Sequence, residues 1–313
     1  MEKTFDTVIL GGGPAGMAAA IYVARGLNSC AIIDTCTMGG QPSNYLELDN
    51  YPGFSKIGGY DLMNKFEKHL DEYNVEKYQM QEIEFVDLQS TPKIIKTQDS
   101  IFKAKSVIIA TGAKPQKLNI EGELEFFGRG VSYCAVCDGG FYKDKVVTVI
   151  GGGNSALEEA VYLTRFAKHV YLVHRRDSFR ADKIVQKKLE ASSKITFIAD
   201  TIAEKIVGDK TVNAILLKNI KTGENKVLET SGVFPYIGIL PNSEYFKNQL
   251  NTDINGFIIT DVTMQTSIPG VYAIGDVRNT PLRQVITAAA DGAVAAVYAA
   301  KFVENYSLTA QKA

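Results

Sequence analysis

The chain has 313 residues, of which 45% are apolar and 22% charged, with 34 basic against 35 acidic side chains and a net charge of −1. At ~100–200 residues per domain this implies about two domains with self-sufficient cores, and it excludes a disordered chain. The balance of charge argues against nucleic acid or an anionic membrane as partner, and four cysteines are too few for a disulfide scaffold, which points to a cytoplasmic protein.

The first residues, Met1-Glu2-Lys3-Thr4-Phe5-Asp6, carry no basic leader. The run Thr7-Val8-Ile9-Leu10 ends in Gly11-Gly12-Gly13 and reads as a strand, not a signal peptide. A helix-compatible stretch follows from Ala15 to Arg25, then a second strand, Cys30-Ala31-Ile32-Ile33, ending in Asp34. Val107-Ile108-Ile109-Ala110 is a strand that runs into Thr111-Gly112. The opening pattern then repeats. Val146 to Ile150 leads into Gly151-Gly152-Gly153, a helix is expected from Ser155 to Phe166, and the strand His169 to His174 ends in Arg175-Arg176. A last strand, Gly270 to Ile274, runs into Gly275-Asp276, and alanines at helical spacing predict a final helix from about Arg283 to Val303. Strand, tight glycine turn and helix open a βαβ unit, and two of them imply two nucleotide-binding domains on one plan. Glycine and proline interrupt the periodicity at Gly112–Pro115 and Gly238–Asn242, where the chain is expected to cross between domains. No uninterrupted apolar run approaches the ~20 residues of a membrane span.

Gly11-x-Gly13-x-x-Gly16 fits the dinucleotide fingerprint, in which the glycines let the backbone approach a pyrophosphate and the helix N-terminus faces it. Asp34 stands about 20 residues on, where an acid meets a ribose hydroxyl. Gly151-x-Gly153-x-x-Ala156 fits the same fingerprint, but its second strand ends in Arg175 and Arg176, with Arg180 close behind. Guanidinium groups at that position pair with a 2′-phosphate, which favours NADP over NAD; the other reading is a solvated basic turn. His174 either orients the adenine or ribose or packs the strand end. The simplest assignment is FAD held at the first site and NADPH bound at the second.

Cys134-Ala135-Val136-Cys137 is a C-x-x-C followed by Asp138. Zinc would need a second pair or suitably spaced histidines, and His69, His169 and His174 do not supply them. Beside two dinucleotide sites the pair reads as a redox disulfide. Thiol exchange needs an acid to protonate the departing thiol, and no histidine follows His174. Asp138 is therefore the candidate proton donor and acceptor, with a turn role as its alternative. Cys30 and Cys36 are given no redox role.

Taken together, these residues resemble the low-molecular-weight thioredoxin reductase family over nearly the whole chain. The resemblance is carried by Gly11–Gly16, Gly39-Gly40-Gln41, Asn50-Tyr51-Pro52-Gly53, Ala110-Thr111-Gly112, Gly130 to Gly139, Gly151–Ala156, His174 to Arg180, Gly275-Asp276-Val277 and Arg283-Gln284-Val285. It implies an α/β fold of two Rossmann-like domains. An FAD domain (residues 1–113 and 243–313) would be split by an inserted NADPH domain (114–242) that carries the cysteine pair. It implies FAD contacts from Gly11, Gly13, Pro14, Ala15, Gly16, Asp34, Gly39, Gly40, Gln41, Asn50, Thr111, Gly112, Gly275, Asp276, Arg283, Gln284 and Val285. NADPH contacts would come from Gly151, Gly153, Asn154, Ser155, Ala156, His174, Arg175, Arg176, Arg180, Ile237 and Gly238. By the same analogy Cys137 is nearer the flavin, Cys134 attacks the disulfide of thioredoxin or a thioredoxin-like protein, and the chain is a homodimer. The chain departs from the family at Gly140, where an aromatic residue often stands, and Pro235 needs an edge strand.

The cysteine pair lies close before the second glycine loop, so disulfide and NADPH are expected on one domain. They must then take turns at the flavin, which predicts rotation of that domain about the two crossings. Three other flavoproteins of this fold fit less well. A ferredoxin–NADP reductase lacks the cysteine pair, a dithiol oxidase does not need the arginines, and a peroxide-reducing subunit needs a further domain. A nucleotide-binding redox sensor without turnover is the alternative from another class.

Overall fold

The computed structural model describes residues 1–45 and 48–310; the side chains of Cys137 and of residues 307–310 lie outside the description. It divides into two compact units, Met1–Lys114 with Leu240–Ala313, and Pro115–Ile239.

In the first unit β1 (Glu2–Leu10) leads through the glycine turn into α1 (Pro14–Arg25), and β2 (Cys30–Ile33) returns parallel beside β1. After α2 (Gly59–Leu70), β3 (Val75–Tyr78) joins β2 in parallel. The chain then forms an antiparallel meander, β4 (Ile83–Asp87), β5 (Lys93–Thr97) and β6 (Ile101–Ile109), the last of which runs parallel to β1. It leaves this unit through β7 (Ala113–Pro115).

The second unit carries a single helical turn, α3 (Ala135–Asp138), then β8 (Val146–Gly151), α4 (Asn154–Leu163), β9 (His169–Val173), α5 (Lys183–Glu190) and β10 (Ile195–Ile198). An antiparallel ribbon of β11 (Thr201–Gly208), β12 (Val212–Asn219) and β13 (Asn225–Glu229) precedes β14 (Gly232–Tyr236). The parallel sheet has the order β10-β9-β8-β14. Pro235 therefore stands on its end strand, where the missing N–H is tolerated. Return is through β15 (Ile239–Pro241), which pairs with β7. Back in the first unit come β16 (Val271–Ala273) and α6 (Val285–Ala310).

The return strand completes the first sheet at an unusual place. One flank of β6 pairs with β1 along its length. The other flank is divided, with β5 on Ile101–Ala104 and β16 on Val107–Ile109. The pleat sends alternate residues to two cores. Ile9, Ile32, Ile108 and Tyr272 face the layer that holds α1 and α6. Val8, Leu10, Ala31, Ile33, Val107, Ile109, Val271 and Ala273 face the opposite layer, which holds Phe5, Phe102 and Phe246. Both faces are covered, so the strand ends read as continuous apolar runs.

From Val285 to Tyr306, α6 is long and apolar enough to cross a membrane by length and composition. It does so without an uninterrupted apolar run, because an alanine-rich helix reaches that mean hydropathy with Asp291, Lys301 and Glu304 in its course. Here α6 packs on α1, and Ala288, Ala295, Ala296 and Ala299 belong to the core they share. Gly292 sets the approach, since a Cβ there would lie 2.4 Å from the Ala15 carbonyl oxygen.

In the second unit Glu159 of α4 is buried, and its Oε2 has no partner among the described residues. Burial, and then the charge of Glu158, raises its pKa from 4.5 to about 7. The folded chain thus keeps a proton that the unfolded chain releases, and stability falls as pH rises from about 4.5 to about 7. Glu159→Gln removes that slope. The advantage of the variant over its parent grows by about 2–3 kcal/mol between pH 5 and pH 8, read from denaturant melts at both pH values.

Candidate active site

The first site lies at the carboxyl ends of β1, β2, β6 and β16, the edge at which open α/β sheets bind ligands. Gly11 has φ +115°, and a Cβ on it would meet the Ala110 carbonyl oxygen at 2.2 Å. At Gly16 the same atom would meet the Gly11 carbonyl oxygen at 1.9 Å. These two positions exclude any side chain, so α1 starts in direct contact with the strand ends. Gly13, by contrast, has nothing within 4 Å of where its Cβ would be, which leaves open space before the first turn of α1. Pro14 occupies that first turn without wasting a donor, and Ala15 is buried behind it.

Asp34 follows β2 directly. Its carboxylate accepts the Gly12 N–H, and its Oδ1 accepts the Cys36 N–H at 2.7 Å. The Gly39 N–H donates to the Gly12 carbonyl at 2.8 Å, and a Cβ on Gly40 would lie 3.1 Å from Gly13 Cα. The second loop thus closes over the first. Gln41 donates through Nε2 to the Ala113 carbonyl. Asn50 and Gln284, far apart in sequence, meet through Nδ2 and Oε1 at 2.8 Å.

Gly275 comes against α1, a Cβ on it lying 3.1 Å from that of Ala15, and its N–H donates to Asp291. Burial raises the pKa of Asp276, opposed by the positive charge of Arg283. Arg283 spreads its guanidinium over Phe257, 4.2 Å from the ring centroid, and its Nε is buried without a partner among the described residues. Val285 begins α6 and is buried. Thr111 and Gly112 are held by Asn242, whose Nδ2 and N–H donate to their carbonyls, and the Thr111 hydroxyl donates to the Asn242 carbonyl at 2.7 Å. An orphaned buried donor, a carboxylate at the glycine turn and open space before the helix suit a dinucleotide with a ribose hydroxyl and a pyrophosphate.

The second site repeats this plan with different chemistry. A Cβ on Gly151 would meet the Tyr236 carbonyl oxygen at 2.2 Å and the Ala156 Cβ at 2.7 Å, while Gly153 faces open space. Asn154 and Asp182 bond reciprocally, Nδ2 to Oδ2 at 2.8 Å and Asp182 N–H to Asn154 Oδ1 at 2.7 Å. Ser155 is exposed. His174 is buried under the loop, its ring 2.4 Å from where a Gly152 Cβ would be, and it stacks on Phe179. Burial lowers the pKa of His174, as do the charges of Arg175, Arg180 and Arg176. Those three arginines are exposed, and the Arg180 N–H donates to the Gly152 carbonyl at 2.8 Å. Neutral imidazole below and free guanidinium groups beside the loop suit a phosphate-bearing ribose. Ile237 and Gly238 lie at the end of this unit, where the Gln116 N–H donates to the Gly238 carbonyl.

The C-x-x-C runs from Cys134 into α3, also in the second unit. Cys134 is disulfide-bonded, whereas Cys30 and Cys36 are free thiols. Burial pushes the Cys30 thiol far above its ordinary value, which silences it as a nucleophile, and Cys36 is exposed. The side chain of Cys137 lies outside the described residues. Around Cys134 the turn is tightly held. Ser132 Oγ accepts its N–H at 3.0 Å, the Asp138 N–H donates to its carbonyl at 3.2 Å, and the Ala135 N–H donates to the Tyr236 hydroxyl at 2.9 Å. Among the described residues no three His, Cys, Asp or Glu side chains are placed to share a metal ion.

Asn242, Phe257 and Tyr236 support these sites but carry no signal in local sequence spacing. Each is brought in from a distant segment by the sheet topology.

Residues 5–292 match the model of the pyridine nucleotide-disulphide oxidoreductase family. A thioredoxin reductase from Peptoclostridium acidaminophilum is 45% identical over 311 residues, covering 97% of this chain and 98% of the relative. The crystal structure of thioredoxin reductase from Lactococcus lactis superposes with a TM-score of 0.93 at 45% identity, over 96% of this chain and 99% of that one. That of the T. acidophilum thioredoxin reductase gives 0.90 at 36% identity, over 95% and 98%.

Proposed function

The chain belongs to the pyridine nucleotide-disulphide oxidoreductase family, and we propose that it works as a thioredoxin reductase, in which electrons pass from NADPH through FAD to the disulfide of Cys134 and Cys137 and on to the disulfide of a thioredoxin. The observation that carries this reading is a disulfide-bonded C-x-x-C cysteine in the same unit as a dinucleotide loop flanked by arginines, in a chain whose other unit has a second such loop with a ribose acid. The names of the relatives supply the class of partner.

In the first unit the helix start behind Gly13 and the loop Gly39–Gln41 would hold the pyrophosphate of FAD, and Asp34, which accepts the Gly12 and Cys36 N–H groups, would accept a ribose hydroxyl. Asn50, Gln284, Asp276 and Arg283 line the rest of that site. In the second unit Gly151–Ala156 would receive the pyrophosphate of NADPH, and Arg175, Arg176 and Arg180 would pair with its 2′-phosphate. His174 stays neutral and supports Gly152, so it adds no charge to the pocket floor.

The reduced pair meets the partner through Cys134. Its thiolate attacks one sulfur of the partner disulfide, forming a mixed disulfide as the second partner sulfur leaves as thiolate. The Cys137 thiolate then attacks Cys134, which releases the first partner sulfur and restores the internal disulfide. Two electrons have moved to the partner, and Asp138 delivers protons to the leaving thiolates. The inserted unit rotates about Ala113–Pro115 and Ile239–Pro241 between these half-reactions. The reading extends to a homodimer working in the cytoplasm.

Cys134→Ser abolishes thioredoxin reduction and leaves flavin bleaching by NADPH intact; a variant that still reduces thioredoxin refutes the assignment. Asp138→Asn, assayed alongside, slows thioredoxin reduction if Asp138 moves the proton and leaves it unchanged if it only closes the turn. Replacing both Arg175 and Arg176 by Ala raises the KM for NADPH about 10- to 100-fold and leaves the KM for NADH in place; equal effects on both would make them a solvated turn. A covalent cross-link between the units, in protein that sediments as a dimer, permits one half-reaction and stops multiple turnover. Full steady-state activity after verified cross-linking would rule out rotation.

A further inference from the structure

Glu123 has no place in the chemistry above, yet it is among the most buried polar residues, 1% exposed. Its carboxylate accepts three hydrogen bonds: from the Leu118 N–H at 2.8 Å, the Asn119 N–H at 2.7 Å and the Tyr133 hydroxyl at 2.7 Å. The two peptide donors belong to the first residues of the second unit, and the phenol belongs to the residue before Cys134. One buried carboxylate therefore ties the entry of the chain to the residue that presents the thiol.

The surroundings leave this tie little slack. Tyr133 packs its ring against Phe127, 5.8 Å between centroids. Its neighbour Ser132 is strapped to β14 by the Ser132 N–H to the Val233 carbonyl at 3.0 Å, with the Val233 N–H returning to the Gly130 carbonyl at 2.8 Å. On the other side of Cys134 the Ala135 N–H donates to the Tyr236 hydroxyl. A phenol thus fixes the backbone on each side of the cysteine, one through a carboxylate and one through a peptide N–H. A buried side chain that accepts three hydrogen bonds cannot shift away from one donor without leaving a buried polar group unpaired, which makes the arrangement stiff.

We infer that Glu123 is a positioning residue for the thiol chemistry of Cys134 and acts through Tyr133. Thiol–disulfide exchange needs the attacking sulfur in line with the bond it breaks, and displacement of about 1 Å can cost up to ~100-fold in rate. The inference rests on Cys134 being the thiol that attacks the partner.

The test uses the full-length, FAD-loaded protein with NADPH and oxidised thioredoxin. Tyr133→Phe removes one hydroxyl and keeps the ring, the peptide bonds to Glu123 and the fold. It lowers kcat for thioredoxin about 5- to 20-fold, leaves KM within about twofold and leaves the stopped-flow rate of flavin reduction by NADPH unchanged. Glu123→Gln turns one of the two accepting oxygens into a donor and also lowers kcat for thioredoxin with flavin reduction unchanged, and the double variant falls short of the product of the two single effects, because both act on one hydrogen-bonded group. A kcat for Tyr133→Phe equal to that of the parent overturns the inference. So does an equal fall in flavin reduction and thioredoxin reduction, which would mark a general structural defect. If the parent itself fails to reduce thioredoxin, the proposed function falls, and the positioning role with it.

Discussion

The structure depends on backbone meeting backbone at the carboxyl ends of parallel strands. At Gly11, Gly16 and Gly151 a single carbon atom would fall within about 2 Å of a carbonyl oxygen. Each βαβ unit can bring its helix start to the strand ends only because that atom is missing. Opening these contacts would move the helix N–H groups away from where a pyrophosphate sits, so local steric exclusion and cofactor geometry are one constraint. Gly292 applies the same principle on the far side of α1, where it lets α6 lie against the helix that begins the first site.

Around two loops of equal geometry the chain places opposite electrostatics. In the first, a carboxylate spans the turn and a second carboxyl, Asp276, is half-buried within range of Arg283. In the second no acid occupies the matching strand end. Three exposed guanidinium groups surround a buried imidazole whose protonation they oppose. The difference turns on the few residues that follow β2 and β9, which is how one backbone plan is given to two nucleotides.

Much of this was legible in the sequence because the informative residues are local. The two glycine triplets, Asp34, Arg175 and Arg176 each stand at a fixed offset from a strand, and a strand-turn-helix pattern is enough to place them. What spacing does not encode is support from remote segments. Asn242 holds Thr111 and Tyr236 holds Ala135, and each such pair exists only once the topology has closed. The final helix shows a related limit. Alanine composition indicates a helix, but α6 runs on to Ala310, beyond the last strongly apolar position used to place its end.

The divided flank of β6 also sets an order of events during synthesis. Residues 115–239 form one uninterrupted stretch, so everything their sheet needs has left the ribosome before β16 is made. The first unit emerges first but is finished last, because the Val107–Ile109 end of one strand edge and one side of α1 wait for Val271–Ala273 and α6. Domains tend to fold as units in the order in which they are completed. The inserted unit therefore acquires its fold while the chain around it still exposes an open strand edge. Until β16 covers it, that edge offers unpaired N–H and C=O groups to any other strand.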